Sequence, residues 1–506
     1  MPSSDYADWK APKADEALLV WPPPADLPAL ISSQLRSLAT QPASLAGVAL
    51  SEVRRSARAF LGHTDNAPLI ATGHQTGLHH PGVWIKNVII HHLALATSGR
   101  AVHLAVDTDQ PKHLFLRFPT SLDGSTPPVS LPLTDDPDLT SAPWTGRLSA
   151  PSPAHATQLQ RRFTSAAATY PFTPLASRFL STLRRSSLEE GVLPPVFVSA
   201  LHELDWHLGL RYDALLASPL WEYEGFLLLC VELMTRAPEY AKHYNQALAQ
   251  YRRFEGITTP GRPMPDLATT LDSVELPLWL DDHSLGHRSR LTVYRTPEGW
   301  SLTVAGESFT PRPLGGYETA TDLRAFLRRH NHRLAPRALT LTTFMRLVVA
   351  DVFVHGIGGG RYDQVTDLTL ASFFQVQPPK FIVATGTLLF PGAARRTRSC
   401  IECVRQEGHR LNHNLLGPAK KRHLDAIAAA PRHSPARTAA FLLMHSELDV
   451  ARQSAPSLAD WASRLSQATL DAELDAVLFD RELFYALQPE SRLHAWMESL
   501  SALLRT

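Results

Sequence analysis

The chain has 506 residues, enough for about three domains, and its 49 basic and 48 acidic side chains leave a formal charge of +1. This balance gives no reason to expect a nucleic acid or an anionic membrane as a partner. Three cysteines, an odd and low number, argue against a disulfide framework and indicate a reducing compartment. Because the sequence shows neither a signal-peptide pattern nor an apolar run of membrane-spanning length, we expect a cytoplasmic protein.

The hydrophobic pattern predicts an α/β fold in five segments. Residues 1–60 carry an amphipathic pattern typical of a helical N-terminal lead-in. Residues 61–200 and 321–392 combine short apolar runs with Gly-rich turns and helical stretches, which predicts the two halves of a Rossmann-like parallel sheet core. Residues 201–320 contain a hairpin pattern and are expected to form an inserted α+β connecting domain, and 393–506 are expected to form a helical C-terminal region.

The first candidate site is a Gly- and His-rich turn that follows the first apolar run of the core. A helix that begins near this turn would offer free N–H groups and the positive end of its dipole to an anion. The glycines that would let the backbone approach a ligand are Gly73, Gly77 and Gly82. The segment 79–82, His-His-Pro-Gly, is similar to the His-x-Gly-His signature of class I nucleotidyltransferases, with Val83 in place of the second histidine. A tight turn without a ligand is the alternative.

Two further loops are expected at the same edge of the sheet. Asp107 and Asp109, with His113 nearby, follow the second predicted strand, where acidic side chains bind a ribose, an amine or a metal, or cap a helix. A predicted strand at 351–354 precedes a run of glycines that includes Gly358, Gly359 and Gly360. Because consecutive glycines cost backbone entropy, we interpret this run as a second phosphate-binding turn. The sequence therefore predicts an active site where the three loops meet.

A fourth pattern brings two cysteines and two histidines within fourteen residues: Cys400, Cys403, His409 and His413. Two thiols and two imidazoles make a competent tetrahedral zinc set, and the two histidines share one helical face. The five residues between the pairs are fewer than the roughly twelve of zinc fingers. Structural cysteines beside surface histidines are therefore the alternative to zinc.

These motifs together resemble the bacillithiol-synthesis cysteine-adding enzyme family. The segment 71–78, Ala-Thr-Gly-His-Gln-Thr-Gly-Leu, is similar to that family's Thr-Gly-Gln-Gln-x-Gly-Leu pattern, and Lys86 corresponds to the lysine on its following helix. The segment 107–110 resembles the family's Glu-Asp-His-Asp in reduced form, and 336–339 resembles its Pro-Arg helix. The similarity covers about 67–115 and 330–390 well.

The resemblance implies a nucleotidyltransferase-like Rossmann core, ATP as cofactor, and a ligase that adds cysteine or a related amino acid to an amino-sugar acceptor. The proposed catalytic residues are His74, His80, Lys86 and His355. Among them His80 and Lys86 would steady developing charge, and His74 or His355 would accept a proton. Asp107, Asp109 and Arg361 would hold the substrate. The expected partners are small-molecule substrates and a nucleotide, and neither a nucleic acid nor a membrane is expected. A homodimer is compatible with the resemblance. The competing hypothesis is a noncatalytic ligand-binding protein that kept the fold.

Overall fold

The computed structural model describes residues 9–188, 191–259 and 261–505 and is of the mixed α/β class. Its strands are β1 (Leu18–Trp21), β2 (Ser44–Leu45), β3 (Val48–Ala49), β4 (Leu69–Gln75), β5 (Arg100–Val106), β6 (Phe115–Phe118), β7 (Val129–Pro132), β8 (Asp213–Leu216), β9 (Ser273–Asp282), β10 (His287–Thr296), β11 (Gly299–Val304), β12 (Glu307–Phe309), β13 (His332–Pro336), β14 (Val352–His355) and β15 (Phe381–Gly386).

The helices of these ranges are α1 (Leu27–Ala39), α2 (Leu50–Phe60), α3 (Pro81–Thr97), α4 (Pro153–Ala167), α5 (Ala176–Ser186), α6 (Leu193–His207), α7 (Glu224–Thr235), α8 (Ala237–Glu255), α9 (Gly316–Arg329), α10 (Ala338–Phe344), α11 (Ile357–Ser372), α12 (Ile401–Asn414), α13 (Pro418–Ala429), α14 (Pro435–Ser454), α15 (Pro456–Leu478) and α16 (Glu490–Arg505). In the described part of the chain, none of them combines the length and the apolar character that crossing a membrane requires.

The main sheet has the strand order β1-β15-β14-β4-β5-β8. All neighbours from β15 to β8 run parallel, and β1 is an antiparallel edge strand on β15. Strands β4 and β15 therefore share one sheet, as the sequence predicts. The chain proceeds outward from β4 through β5 to β8, returns to β14 beside β4, and then proceeds outward to β15. The direction of strand addition thus reverses between β4 and β14.

The two faces of this sheet carry separate hydrophobic clusters. Ile70 and Val352 pack on one side with the apolar residues of α3 to α6, and Ala71 and Phe353 pack on the other with those of α7, α8 and α11. Strands covered on both faces read as continuous apolar runs without alternation. This is why the sequence identifies them as buried strands.

A second sheet with the order β12-β11-β10-β9-β13 is antiparallel and contains the predicted hairpin, β10 and β11. Two strands pair with a different sheet from the one that the predicted segment 201–320 implies. Strand β8 lies inside that segment but pairs with β5 of the main sheet, and β13 lies beyond its end but pairs with β9. By sheet membership, the chain leaves the main sheet after Leu216 and returns to it at Val352.

The segment 1–60 contains two helices, α1 and α2, but it is not only a helical lead-in. Strand β1 extends the main sheet, because Leu18 to Trp21 pair with β15. Trp9 is buried and packs edge-on against the rings of Trp21 and Phe381. The N-terminal segment is therefore part of the core, which the helical prediction missed.

The C-terminal region is helical, as predicted, and its last part returns to the core. Tyr485 stacks on Trp84 of α3 with ring centroids 4.7 Å apart, and Trp496 of α16 follows at 6.2 Å. Burial of these large rings contributes to the hydrophobic free energy that attaches this region to the core.

A buried carboxylate, Asp205 of α6, joins the same elements by hydrogen bonds. It accepts hydrogen bonds from Trp84 Nε1 at 2.8 Å and Asn87 Nδ2 at 3.0 Å, and from the hydroxyls of Tyr212 and Tyr485 at 2.6 Å each. Burial raises the pKa of Asp205, although the four donors oppose this shift. The carboxylate therefore satisfies four polar groups that have lost contact with water.

We expect Asp205→Ala to destabilise the protein strongly, because it leaves these buried donors without an acceptor. The expected loss in the free energy of unfolding is on the order of 3 kcal/mol or more. Urea titration followed by tryptophan fluorescence measures it, with Asp460→Ala, at an exposed position on α15, as the control expected within about 0.5 kcal/mol of wild type. Equal midpoints for the two variants would contradict the role of Asp205.

Candidate active site

A cavity of about 740 Å³ lies at the carboxyl ends of β4 and β14, where the direction of strand addition reverses. Parallel α/β sheets bind ligands at this position. Ten of the predicted site residues line it: Gly73, His74, His80, Gly82, Lys86, Asp109, His355, Gly358, Gly359 and Arg361. The structure therefore brings together residues from all three predicted loops.

The glycine run forms the first turn of α11 and not a loop before it. The N–H of Gly360 donates to the carbonyl of Gly356 at 2.9 Å, so the N–H groups of Gly358 and Gly359 precede the first helical hydrogen bond. A Cβ at Gly356 or Gly358 would meet nothing within 4 Å. This helix end is thus open to the cavity and can receive an anion.

His355 forms a hydrogen-bonded pair with a buried carboxylate. Its Nε2 lies 2.8 Å from Asp363 Oδ2, which also accepts a 2.6 Å hydrogen bond from Arg346 Nη1. Burial disfavours the charge of Asp363, but Arg346 and His355 outweigh that effect and hold the pKa of Asp363 below its ordinary range. Asp363 is therefore an acceptor, and we assign the proton of His355 to Nε2.

The other ring nitrogen of His355 is the candidate base. Burial lowers the pKa of His355 although Asp363 opposes this shift, so the imidazole is neutral and Nδ1 carries a free electron pair. Nδ1 faces the first turn of α11, since a Cβ at Gly359 would lie 2.8 Å from it. An imidazole oriented by a carboxylate is the arrangement that general-base catalysis uses.

Lys86 is buried beneath the cavity on α3. Its Nζ donates to the carbonyl of Gly73 at 2.9 Å, and burial lowers its pKa to about 7. His74 lies beside it with Nδ1 3.1 Å from the carbonyl of Gln75, and burial, followed by the charge of Lys86, keeps the pKa of His74 well below its ordinary value. Lys86 thus titrates near neutral pH, while His74 is neutral there.

His80 caps helix α3. Its Nδ1 accepts the N–H of Gly82 at 3.1 Å, and burial, followed by the charge of Arg481, lowers the pKa of His80 to about 3. The ring is neutral and its Nε2 carries the proton. His80 is therefore a hydrogen-bond donor at this site and not a base.

Arg481, between α15 and α16, is a cavity residue that the sequence did not indicate. Its Nη2 donates to Thr385 Oγ1 at 3.2 Å and to the carbonyl of Gly386 at 3.0 Å. Arg361 donates from Nη2 to the carbonyl of Trp9 at 2.5 Å. The buried Nε atoms of Arg361 and Arg481 have no hydrogen-bond partner among the described residues. Both arginines line the cavity, and each has one buried donor without a partner in the described part of the chain.

Three predicted ligand residues lie outside the cavity. Asp107 accepts hydrogen bonds from the N–H of Ser218 at 2.9 Å and its Oγ at 2.6 Å, so its carboxylate ties β5 to the segment after β8. Gly77 and Gly360 are needed for close packing. A Cβ at Gly77 would lie 2.4 Å from the carbonyl oxygen of Lys112, and a Cβ at Gly360 would lie 2.5 Å from the side chain of Val383. The structure therefore does not bring Asp107, Gly77 and Gly360 to the cavity where the sequence placed them.

The predicted zinc site does not form. Cys400 and Cys403 are joined by a disulfide, so neither sulfur is a free thiolate ligand. The rings of His409 and His413 on α12 are tilted relative to each other with centroids 4.9 Å apart, and Lys420 Nζ donates to Nδ1 of His413. Across the described ranges, no group of three or more histidine, cysteine, aspartate or glutamate side chains is placed to hold a metal ion.

The charge of the cavity favours an anionic ligand. The lining contains the carboxylate of Asp109, which accepts a 2.6 Å hydrogen bond from Gln75, and the basic side chains of Lys10, Lys86, Arg361 and Arg481. No protein-family model matches the chain, and no curated protein matches it. The assignment of function therefore depends on the chemistry of this cavity.

The lowered pKa of Lys86 predicts a specific pH dependence of stability. Between about pH 7 and 10.5 the unfolded chain binds a proton at Lys86 that the folded chain lacks, so Lys86 makes the free energy of unfolding rise with pH. We expect Lys86→Met to remove this rise and to be more stable than wild type below pH 7. Urea titrations at about pH 6 and pH 10 test this, with Lys380→Met at an exposed lysine as control. A wild-type slope in Lys86→Met would contradict it.

Proposed function

We propose that the cavity between β4 and β14 is the active site of an ATP-dependent ligase that forms an amide bond. In this proposal the enzyme adds cysteine or a related amino acid to an amino-sugar-type acceptor in low-molecular-weight thiol synthesis. The observation that carries the proposal is the position of the His355 and Asp363 pair directly beside the open first turn of α11. A base and an anion site within one cavity suit an amine attacking a phosphate-activated carboxyl group.

The strand order supports a Rossmann-like core. Numbered by their order along the chain, the parallel strands β8, β5, β4, β14 and β15 follow the sequence 3-2-1-4-5 across the sheet, which is the order of the first five strands in doubly wound nucleotide-binding folds. The second sheet enters between the third and fourth of these strands. This order agrees with the resemblance to the bacillithiol-synthesis family.

The cavity residues fit a nucleotide. The cavity volume of about 740 Å³ lies within the usual range for small-molecule sites. The N–H groups of Gly358 and Gly359 and the guanidinium groups of Arg361 and Arg481 belong to residues that line the cavity. They are donors that phosphate oxygens accept, and the arginines also supply positive charge. When bound, ATP supplies the activation of the carboxyl group.

The side chains then take separate roles. Lys86 and Arg481 stabilise negative charge from the side of α3, and His80 donates from Nε2. The carboxylate of Asp109 can hold an ammonium group of the substrate. As the carbon–nitrogen bond forms, the bond from the carboxyl carbon to the phosphate-bearing oxygen would break and the phosphate group would leave. His355 Nδ1 accepts the proton that the attacking amine loses, and Asp363 stabilises the resulting imidazolium.

A noncatalytic nucleotide-binding protein is the second candidate. The observation that favours it is that Val83 replaces a histidine of the nucleotidyltransferase signature while His80 is engaged in the helix cap. Such a protein would bind ATP with the same arginines and show no turnover. ATP binding and catalytic turnover therefore have to be tested with separate variants.

Calorimetric titration with ATP and an assay of cysteine-dependent ATP consumption, with glucosamine as the probe acceptor, test the proposal. Arg481→Gln is expected to weaken ATP binding by about tenfold or more because it removes a charged hydrogen-bond donor. His355→Asn is expected to preserve affinity within about twofold and to lower turnover by about 10²- to 10⁴-fold. Arg295→Gln, at an exposed arginine of β10, is the matched control.

The outcomes separate the two candidates. Absence of ATP binding, or equal affinity in Arg481→Gln and Arg295→Gln, would contradict both. ATP binding that depends on Arg481 without cysteine-dependent consumption would establish the noncatalytic alternative.

A further inference from the structure

The disulfide Cys400–Cys403 lies at the start of an exposed helix. Cys400 is the N-cap residue of α12, and the backbone N–H of Cys403 donates to Cys400 Sγ at 3.2 Å. Both cysteines are exposed. External thiols can therefore reach the sulfur atoms, which thiol–disulfide exchange requires.

We propose that Cys400 and Cys403 form a redox-active site that exchanges with low-molecular-weight thiols, independently of the ligase activity. A Cys-x-x-Cys segment at a helix N-terminus lowers the pKa of its thiol, because the helix dipole and the N–H donor stabilise the thiolate. Arg395 and Arg398 precede the motif and add positive charge to this stretch of chain. The helix N-terminus and the N–H of Cys403 therefore favour the thiolate of Cys400, and the carboxylate of Glu402 in the first turn opposes it.

The disulfide is not required to attach α12 to the protein. Arg396 Nε and the N–H of Ser399 both donate to Asp475 of α15, at 2.7 and 2.6 Å. Trp461 Nε1 donates to the carbonyl of Val404 at 2.7 Å and holds the next turn. A bond across four residues also closes the kind of short loop that stabilises a fold least. A structural role is therefore weak, which supports a chemical one.

The exchange takes place in two balanced steps. A thiolate attacks Cys403 Sγ, forming a mixed disulfide and releasing Cys400 as the thiolate that the N–H of Cys403 stabilises. A second thiolate then attacks the external sulfur of the mixed disulfide and releases Cys403. Two external thiols are oxidised to one disulfide, two electrons reduce the protein disulfide, and water protonates the released thiolates as the pH requires.

Equilibration of the full chain with reduced and oxidised glutathione, in the presence of a chelator, tests this. The free thiols are counted by maleimide labelling and mass spectrometry, in a Cys230→Ser background because that buried thiol also reacts after unfolding. We expect the reduced fraction to rise from one-tenth to nine-tenths over about a hundredfold range of [GSH]²/[GSSG], as for a two-electron couple. We also expect Cys400→Ser to accumulate a mixed disulfide at Cys403.

A disulfide that stays oxidised in excess reduced glutathione would overturn the proposal, and so would cysteines that stay reduced in excess oxidised glutathione. The titration uses the native pair, so it remains decisive even where Cys400→Ser fails to fold. Thermal unfolding of the reduced and the oxidised protein tests whether the disulfide has a structural role. The proposal expects nearly equal transition temperatures, and a large loss on reduction would contradict it.

Discussion

The reversal of strand order between β4 and β14 is the constraint on which the rest of the structure depends. Because the connections from β4 and β14 leave toward opposite faces of the sheet, helices α3 and α11 do not cover the gap between these strands. The first turns of both helices therefore line one crevice. The cavity, its open helix end and its set of side chains follow from this topology.

Buried polar groups then determine the geometry of the crevice. Arg346 is almost fully buried and compensates Asp363, which in turn orients His355. Removing one partner of such a network leaves an uncompensated charge in a medium of low dielectric constant, so the network resists rearrangement. On the other face, Asp205 and the stacked rings attach the C-terminal helices, and this attachment carries Arg481 to the cavity. Packing of the C-terminal helices, away from the cavity, thus supplies one of the side chains that line it.

The sequence predicted the parts of the fold that local pattern determines. Apolar runs covered on both faces identify β4, β5, β14 and β15, and the chemistry of the turns identifies most of the residues that line the cavity. The short edge strand β1 was missed because four apolar residues do not distinguish a strand from a helix end. Arg481 was missed because its position depends on how α16 packs, which no local pattern encodes.

Other misses concern the direction of side chains. Asp107 and Asp109 are two residues apart, yet the chain turns after β5, so Asp107 bonds Ser218 while Asp109 lines the cavity. Gly77 and Gly360 permit close packing, which sequence does not distinguish from phosphate binding. The four predicted zinc ligands are of the right chemical types, but the two cysteines lie one helical turn apart at the start of α12, and their sulfurs bond to each other.

The central proposal is that the first turn of α11 receives the phosphates of the nucleotide. Hydrogen–deuterium exchange of the full chain with and without saturating ATP tests it most directly, because backbone N–H groups are the proposed phosphate donors. The account predicts slower exchange in 357–360 when ATP is present, with the second sheet unchanged. Protection confined to other segments, or no protection while ATP is bound, would contradict it.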